Sequence, residues 1–299
     1  MSAGHTPVLL QETVRLLSPA PGEVFLDGTA GAGGHAEEVA RRIGPEGILV
    51  CADGDASMLV VASERLRSFP CARLVHADFS EVERLRQAAD GRPFDGMLLD
   101  LGISSVQLDD PSRGFSFRED GPLDMRRDQE SGTPAARDIL RRATEKELAE
   151  IFFRFGEERF SRRIARAIAD SRRKEPIERT LQLANLVKRS IPRKAWPRDI
   201  HPATRVFQAL RIAVNDELGS LATFLGDFSR HLAMGGRVAV ISFQSLEDRL
   251  VKTSFREQAA GEEAVLSVLT RRPVVPGSEE IGTNPRARSA KLRAARRDR

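Results

Sequence analysis

Four aspartates end short apolar runs in the first part of the chain, and this spacing indicates a ligand site. Asp27, Asp53, Asp78 and Asp100 each follow a run of the kind that forms a buried strand. Parallel strands of an α/β sheet bring their carboxyl ends to one edge, where such folds bind ligands. Four carboxylates along one edge are hard to explain by packing alone, so we interpret them as part of a functional site.

A glycine-rich turn follows Asp27 and leads into a predicted helix. Gly28, Gly31, Gly33 and Gly34 precede His35, where the helical pattern begins. Glycines let a ligand approach backbone N–H groups closely, and a helix N-terminus favours negative charge. Asp53, about 20 residues further on, is placed to accept both hydroxyls of a ribose. The stretch therefore predicts a site for a nucleotide cofactor.

The turn narrows the choice of nucleotide. It has no Gly-Lys-Ser/Thr, and the dinucleotide fingerprint fails because Ala36 stands three residues after Gly33. A carboxylate at Asp27 would repel a pyrophosphate but suit a cation. S-adenosylmethionine (SAM), which carries a ribose, an amino acid end and a sulfonium charge, fits better. A nicotinamide dinucleotide is the alternative, and quenching of Trp196 fluorescence by NADH but not by SAM would favour it.

The elements that position these residues alternate between strand and helix up to Asp100. This pattern predicts a parallel sheet with βαβ connections. Helical patterns then take over, and the α/β pattern resumes later with a fifth strand and two final strands. We therefore expect an α/β protein, a Rossmann-like seven-stranded core formed by residues 1–107 and 204–299, with an all-helical insertion at residues 108–203. Residues 1–23, with His5 and Thr6, are expected to form an N-terminal lid.

Charge, apolar runs and the few cysteines and histidines indicate which other classes of protein the chain could belong to. The chain has 47 Lys and Arg against 43 Asp and Glu, a net charge of +4, and basic clusters at residues 159–174 and 286–299. Arginine binds phosphate well, although a GC-rich genome would produce the same bias. No membrane span or signal peptide is evident, so we expect a cytoplasmic protein. Cys51 and Cys71 suit neither a disulfide framework nor a zinc site, and the histidines lack metal-ligand spacing, so no metal is predicted.

A series of motifs in a fixed order resembles a known family over nearly the whole chain. The resemblance is to the bacterial small-subunit ribosomal RNA cytosine-N4 methyltransferases, the MraW/RsmH family. The motifs are His5 to Leu10, Asp27-Gly28-Thr29, Gly33-Gly34-His35, Asp100 to Ser105, Gln107 to Asp110, Arg113 to Phe117, Gly121 to Arg126, Gly156 to Arg159, His201 to Arg205, Phe207 to Arg211, Ile241 to Phe243, Ser245 to Arg249 and Asn284 to Ser289.

The resemblance implies a SAM-dependent enzyme that methylates the exocyclic N4 of a cytidine in the decoding region of small-subunit (16S) ribosomal RNA. Two departures from the family pattern are Gln244, where the family has His, and Arg127, where it often has Met. Because glutamine cannot act as a base, no proton transfer is assigned to position 244. Carried over residue by residue, the resemblance implies cofactor contacts at Gly33, Gly34, His35, Asp53, Phe79, Asp100 and Gln107.

Methylation of cytosine N4 needs an acceptor for the amino protons, because the nitrogen lone pair is delocalised into the ring. Asp100 is the first candidate, although it would alternatively bind only the methionine amino group. Asp109 and Asp110 are the second candidates, or else a turn or a helix cap. His35 is expected to hold the methionine carboxylate, or else to cap a helix.

Aromatic and basic residues are the candidates for holding RNA. The target base must leave its stack, and an aromatic face offsets that cost. Phe115 and Phe117 are expected to stack on the base near Asp100, or to anchor their loop to a core, and Phe79 to cover the adenine or to pack under a helix. The expected partner is ribosomal RNA within the small subunit, and a non-catalytic assembly factor that keeps the cofactor pocket is a further alternative. The candidate phosphate contacts are Arg113, Arg159, Arg163, Arg205 and Arg288.

Overall fold

The computed structural model describes residues 7–299, and the chain forms two compact units. One unit comprises Met1–Gly102 and Leu218–Arg299, and the other comprises Ile103–Glu217. His5 and Thr6 of the predicted lid lie outside the described residues. The second boundary differs from the predicted one because Val206, Phe207 and Leu210 bury their side chains in the core of the helical unit.

The first unit is built on a seven-stranded sheet in the order β3-β2-β1-β4-β5-β7-β6. The first five strands in this order pair in parallel, whereas β7 is antiparallel to both β5 and β6. The Rossmann-like core predicted from the sequence is therefore confirmed. The strands are β1 (Val24–Asp27), β2 (Ile48–Asp53), β3 (Ala72–His76), β4 (Phe94–Asp100), β5 (Leu232–Ser242), β6 (Leu266–Val268) and β7 (Lys291–Arg297).

Helices cover both faces of the sheet, which explains why its central strands are mostly apolar. Alternate residues of β1 point to opposite faces: Leu26 packs in a cluster with Phe224 and Phe228. Phe25 packs in a second cluster with Val39. The helices of this unit are α1 (Leu10–Leu17), α2 (Gly34–Ile43), α3 (Ala56–Leu66), α4 (Val82–Gln87), α11 (Glu217–His231), α12 (Ser245–Gln258) and α13 (Ser278–Thr283).

The second unit is helical, with its own apolar core. Phe152, Ile164, Leu183 and Leu210 meet in this core, each from a different helix. Its helices are α5 (Ser105–Asp109), α6 (Ala136–Arg142), α7 (Glu145–Gly156), α8 (Ser161–Arg172), α9 (Thr180–Ser190) and α10 (Thr204–Asn215). Across residues 7–299, no helix is both long and apolar enough to cross a membrane.

Strand register sets the depth of three carboxylates at the edge of the sheet. Asp27 of β1 pairs with Cys51 of β2 and with Leu98 of β4. Asp53 and Asp100 each lie two residues beyond those partners, on the two strands that flank β1. Asp27 therefore lies at the base of a notch, and the two other aspartates lie further out on either side of it.

Candidate active site

The glycine turn after β1 is held against the ends of β2 and β4. The Gly28 N–H donates to Leu98 O at 2.9 Å, and the Ala30 N–H donates to Ala52 O at 2.8 Å. A Cβ on Gly28 would lie 2.6 Å from Leu99 Cδ2 and 2.9 Å from Phe79 Cβ. Only glycine fits at this position, and its absent side chain lets the turn lie flat on the sheet edge.

The carboxylate of Asp53 is oriented by the main chain. Its Oδ2 accepts the Gly31 N–H at 2.8 Å, and its Oδ1 accepts the Asp55 N–H at 2.9 Å. Because each carboxylate oxygen can accept two hydrogen bonds, this anchored group keeps the chemistry needed to accept from ribose hydroxyls. The predicted ribose contact therefore has a fixed acceptor that also braces the glycine turn.

Asp27 lies at the base of the notch with 2% of its surface exposed. Burial raises its pKa to about 7, although the Thr29 N–H that it accepts favours the ionised form; the nearby charge of Asp53 also raises it. A carboxyl with this pKa is partly protonated at neutral pH. The base of the notch is therefore acidic without carrying a full negative charge.

Asp100 is the most perturbed of these groups. Its Oδ1 is buried without a hydrogen-bond partner, whereas the side chain as a whole keeps 25% of its surface exposed. Burial, then the charges of Asp27 and Glu247, raise its pKa to about 8. An oxygen without a partner at the end of a strand is an acceptor that a ligand would satisfy.

His35 lies beside Asp100 and is 6% exposed. Its Nε2 lies 3.0 Å from Val8 O, and because a carbonyl only accepts, this nitrogen carries the proton. The other ring nitrogen, Nδ1, lies 3.7 Å from Asp100 Oδ2. The N-cap of α2 is Gly33, with φ 78°, so His35 is not the cap. Its buried ring lies between the Val8 carbonyl and the Asp100 carboxyl.

Glu247 is a part of this site that the sequence analysis missed. It is 3% exposed, and its Oε2 accepts the N–H groups of Phe243 and Gln244 at 3.0 and 3.1 Å. Gln244 is the N-cap residue of α12, which gives this position a structural role. The spacing of a cap residue and a Glu three residues later was the available signal, since it marks a capping box.

Phe79, predicted to contact the cofactor, belongs to the core. Its ring is 2% exposed and meets Phe224 edge to face at 6.0 Å. This is the packing alternative foreseen for it. Any contact with an adenine would therefore have to come from the main chain of residue 79.

Three further candidates from the sequence, Gln107, Asp109 and Asp110, lie in the helical unit. Gln107 is 5% exposed, and its side chain accepts the Ser104 N–H at 2.9 Å in a capping box of α5. Asp110 accepts the Ser112 N–H at 2.9 Å and caps a 3₁₀ turn. Asp109 is the exposed last residue of α5. Asp110 thus acts as a cap, which is the alternative role predicted for it.

The contacts of the loop at residues 113–117 match the alternative prediction that its phenylalanines anchor it to a core, and Arg113 is buried as well. Arg113 is 7% exposed and donates through Nη2 to the carbonyls of Arg126 and Arg127 at 3.0 and 2.6 Å. Phe115 is 6% exposed, and Phe117 packs at 4.6 Å from the ring of Phe207. Burial leaves Arg113 no surface for a phosphate and Phe115 no face for a base, so these residues anchor the loop.

The other predicted phosphate contacts remain at the surface. Arg159 is exposed just before α8 and Arg163 is exposed in its first turn. Arg205 is half-buried on α10, and Arg288 is exposed in the sheet unit. The structure therefore brings Gly33, Gly34, His35, Asp53 and Asp100 together at one sheet edge. It places Gln107, Asp109, Asp110, Arg113, Phe115, Phe117, Arg159, Arg163 and Arg205 in the helical unit.

The residues at the sheet edge fit SAM and not a dinucleotide. The turn has no Cβ at Gly33 or Gly34, Asp53 is oriented as an acceptor, and the carboxyls of Asp27 and Asp100 favour a cation over a pyrophosphate. The orphaned Oδ1 of Asp100 is a ready acceptor for a donor group. Among residues 7–299, no group of three or more His, Cys, Asp or Glu side chains could hold a metal ion.

The strand order and this edge together define a SAM-dependent methyltransferase. The chain belongs to the MraW methylase family, whose model matches residues 2–298. The family predicted from the motifs is thereby confirmed, and with it the enzyme class and the cofactor.

Sequence relatives resemble the chain over its full length. It is 49% identical over 305 residues to the Ribosomal RNA small subunit methyltransferase H of Trichlorobacter lovleyi, with 97% of each chain covered. The protein of that name from Geobacter sulfurreducens is 50% identical over 309 residues, with 99% of each covered. A solved putative methyltransferase from Streptococcus mutans, in complex with SAH, aligns over 98% of this chain and 99% of its own at 8% identity with a TM-score of 0.46.

Proposed function

We propose that this protein transfers the methyl group of SAM to the exocyclic N4 of a cytidine in the decoding region of small-subunit (16S) ribosomal RNA. The names of the relatives support small-subunit ribosomal RNA as the substrate class. The observation that carries the choice of an amino nitrogen is Asp100, whose Oδ1 atom is buried without a hydrogen-bond partner. The compartment that follows from this substrate is the cytoplasm.

The chemistry explains why a carboxylate is needed. The N4 nitrogen must lose a proton as its new bond to carbon forms, and its lone pair is free for attack only when conjugation with the ring is reduced. A carboxylate that accepts one N–H favours both changes. When bound, SAM supplies a methyl group activated by the positive charge of its sulfonium.

The elements of the protein position Asp100 for this role. Its backbone N–H donates to Thr29 Oγ1 at 2.6 Å, so the tip of β4 is tied to the glycine turn. His35 Nδ1 lies 3.7 Å from Oδ2, on the side away from the unpartnered oxygen. One carboxylate oxygen thus faces a protein group, and the other is available to a substrate N–H.

The pKa of Asp100 near 8 suits an acceptor that works close to neutral pH. Burial and the acidic neighbours hold the proton on the carboxyl of the ligand-free protein. Positive charge placed beside it favours the ionised form. Asp100 would therefore lose its proton, and become available as the base, when the sulfonium cation of SAM is bound.

We assign recognition of the RNA to the helical unit. Its exposed arginines at the start of α8, together with Arg205, would bind phosphates, and binding would depend strongly on salt. An alternative is an assembly factor that binds the cofactor without turnover. Its one support is Gln244, which stands where the family has His.

The experiment that tests the proposal is methyl transfer from radiolabelled SAM to small ribosomal subunits taken from cells that lack this protein. Nucleoside analysis should find the label in N4-methylcytidine. Label in another nucleoside would exclude the proposed target atom. Measurable SAM binding without any label would support the assembly factor instead.

A further inference from the structure

Several exposed arginines pair with a carboxylate on or next to their own helix, whereas the arginines around the start of α8 do not in the part of the chain that the structure describes. On α2, Arg41 pairs with Glu37 at 2.9 Å; on α4, Arg84 pairs with Glu81 at 2.9 Å; and on α6, Arg141 pairs with Asp138 at 2.7 Å. Within residues 7–299, by contrast, no acidic side chain pairs with the four exposed arginines Arg159, Arg162, Arg163 and Arg166.

This arrangement is unfavourable for the helix itself. The first turn of α8 has no acidic residue, and Arg162 and Arg163 place positive charge at the positive end of the helix dipole. Arg162 and Arg166 are also like charges four residues apart. The buried carboxylate of Glu158, which accepts the N–H of the N-cap residue Phe160 at 2.8 Å, offsets part of this charge. An anionic ligand would neutralise the rest.

An exposed aromatic ring lies in the same place. Phe153 of α7 is 63% exposed, whereas the neighbouring Phe152 is fully buried. It lines a groove of about 830 Å³ together with Arg159, Phe160, Arg162 and Arg163. The Arg159 guanidinium lies 4.8 Å from the centre of the Phe160 ring, so an arginine plane and a free aromatic face border one groove.

The net charge of the groove is positive. Lys146 adds a fourth cation, and the acidic lining residues are Glu145 and Glu150. Glu150 is already paired with Arg154 at 3.2 Å. Among the residues that line the groove, one carboxylate, Glu145, therefore opposes the four cations Lys146, Arg159, Arg162 and Arg163.

We propose that this groove binds a single-stranded segment of RNA, with a base stacked on Phe153 and adjacent phosphates held by Arg159, Arg162 and Arg163. The inference rests on the proposed function in taking RNA as the natural ligand. Unpaired bases offer a face to an aromatic ring, and the chain that carries them is anionic, so one ligand satisfies both features. An apolar protein partner would cover Phe153 but leave the guanidiniums without counter-charges.

The test is equilibrium binding of a fluorescent, unstructured RNA oligonucleotide to the full chain. Phe153→Ala should weaken binding roughly 5- to 150-fold, the range for loss of one stacked base, and Phe153→Trp should retain it. Arg162→Gln with Arg163→Gln should lower the slope of log affinity against log salt by about 0.7 for each arginine. The matched control is Arg141→Gln with Arg173→Gln, which removes two arginines paired with Asp138 and Asp170 and should leave the slope unchanged.

Specific results would overturn the inference. Equal RNA affinity of Phe153→Ala and the unsubstituted chain would do so, as would an equal loss of slope in the control. Weaker binding of Phe153→Ala to intact small subunits but not to RNA would assign the groove to a ribosomal protein. If RNA binds as expected but no N4-methylcytidine forms, the proposed function fails while this inference stands.

Discussion

At the scale of single residues, the site depends on how three carboxyl groups share one edge of the sheet. Asp27 and Asp100 have pKa values raised to about 7 and about 8, because burial and the negative charges of acidic neighbours disfavour their ionised forms. Asp53, whose oxygens both accept backbone N–H groups, is the oriented acceptor. Three residues of similar chemistry therefore have different roles, which their surroundings decide.

Replacing Asp100 by Asn should separate catalysis from cofactor binding. An amide cannot take up the N4 proton, so the turnover number should fall by about 10²–10⁴-fold, while the affinity for SAM measured by calorimetry changes little. The control is Asp90→Asn, which replaces an exposed aspartate paired with Arg73. If Asp100→Asn lowers affinity and turnover to the same extent, Asp100 is a ligand of the cofactor amino group.

The pH dependence of kcat/KM should report the ionisation of Asp100. Because the acceptor must be ionised, kcat/KM should rise with pH, with an apparent pKa near the value of about 8 in the free protein. Asp27→Asn removes a negative charge that holds this pKa up, so the rise should move to lower pH. A profile that stays at the same pH in Asp27→Asn would show that another group limits the rate.

At the scale of elements, the glycine turn connects the sheet edge to α2. Gly28→Ala should overpack it, since a Cβ would lie 2.6 Å from Leu99 Cδ2. We expect a loss of about 1–3 kcal/mol in the free energy of unfolding, together with weaker SAM binding. The control is Gly226→Ala in α11, where a Cβ meets no atom within 4 Å. Unchanged stability and SAM affinity in Gly28→Ala would refute the close packing of the turn.

A charge reversal in the first turn of α8 should stabilise the folded protein but weaken RNA binding. Arg162→Glu places a negative charge in a first turn that has no acidic residue, so the free energy of unfolding should rise by about 0.3–1 kcal/mol at low salt. The same change should weaken RNA binding, because it reverses a charge in the groove. Denaturant titration and RNA binding would measure the two effects, and a loss of stability would contradict the account of the helix.

At the scale of the whole molecule, the buried acids make folding sensitive to pH. The pKa of Asp27 is about 7 in the folded chain, above its ordinary value of 3.8. Between these two pH values the folded chain therefore binds more protons than the unfolded chain. The stability of the ligand-free protein should therefore fall as pH rises from about 4 to 8, on the order of a few kcal/mol at about 1.4 kcal/mol per pKa unit.

Denaturant unfolding at pH 5 and pH 8 would test this dependence. Asp27→Asn should flatten it, because the amide has no proton to lose. SAM should stabilise the chain more at pH 8 than at pH 5, since positive charge favours the ionised carboxyls. A stability that is equal at both pH values would show that Asp27 and Asp100 ionise without cost in the folded chain.

The sequence by itself determined the succession of strands and helices along the chain, the glycine turn, the acidic strand ends and the family. These features are local: a period of two or 3.6 residues and the place of a glycine do not depend on distant contacts. The end of the helical unit was predicted at residue 203 and lies at Glu217. The periodicity of α10 reveals an apolar face but not the core on which Val206 and Leu210 pack.

Only the tertiary structure decided which side chains are available. Arg113 and Phe115 have the residue types of an RNA contact, yet contacts with distant parts of the chain bury them. The raised pKa of Asp100 arises because the fold buries this carboxyl and also brings Asp27 and Glu247 near it. The same holds for Phe153 of α7 and for Arg162 and Arg163 of α8, which stay exposed because, among residues 7–299, no neighbouring element brings them a cover or an acidic partner. Burial, pairing and charge are sums over neighbours in space, and the linear sequence does not specify those neighbours.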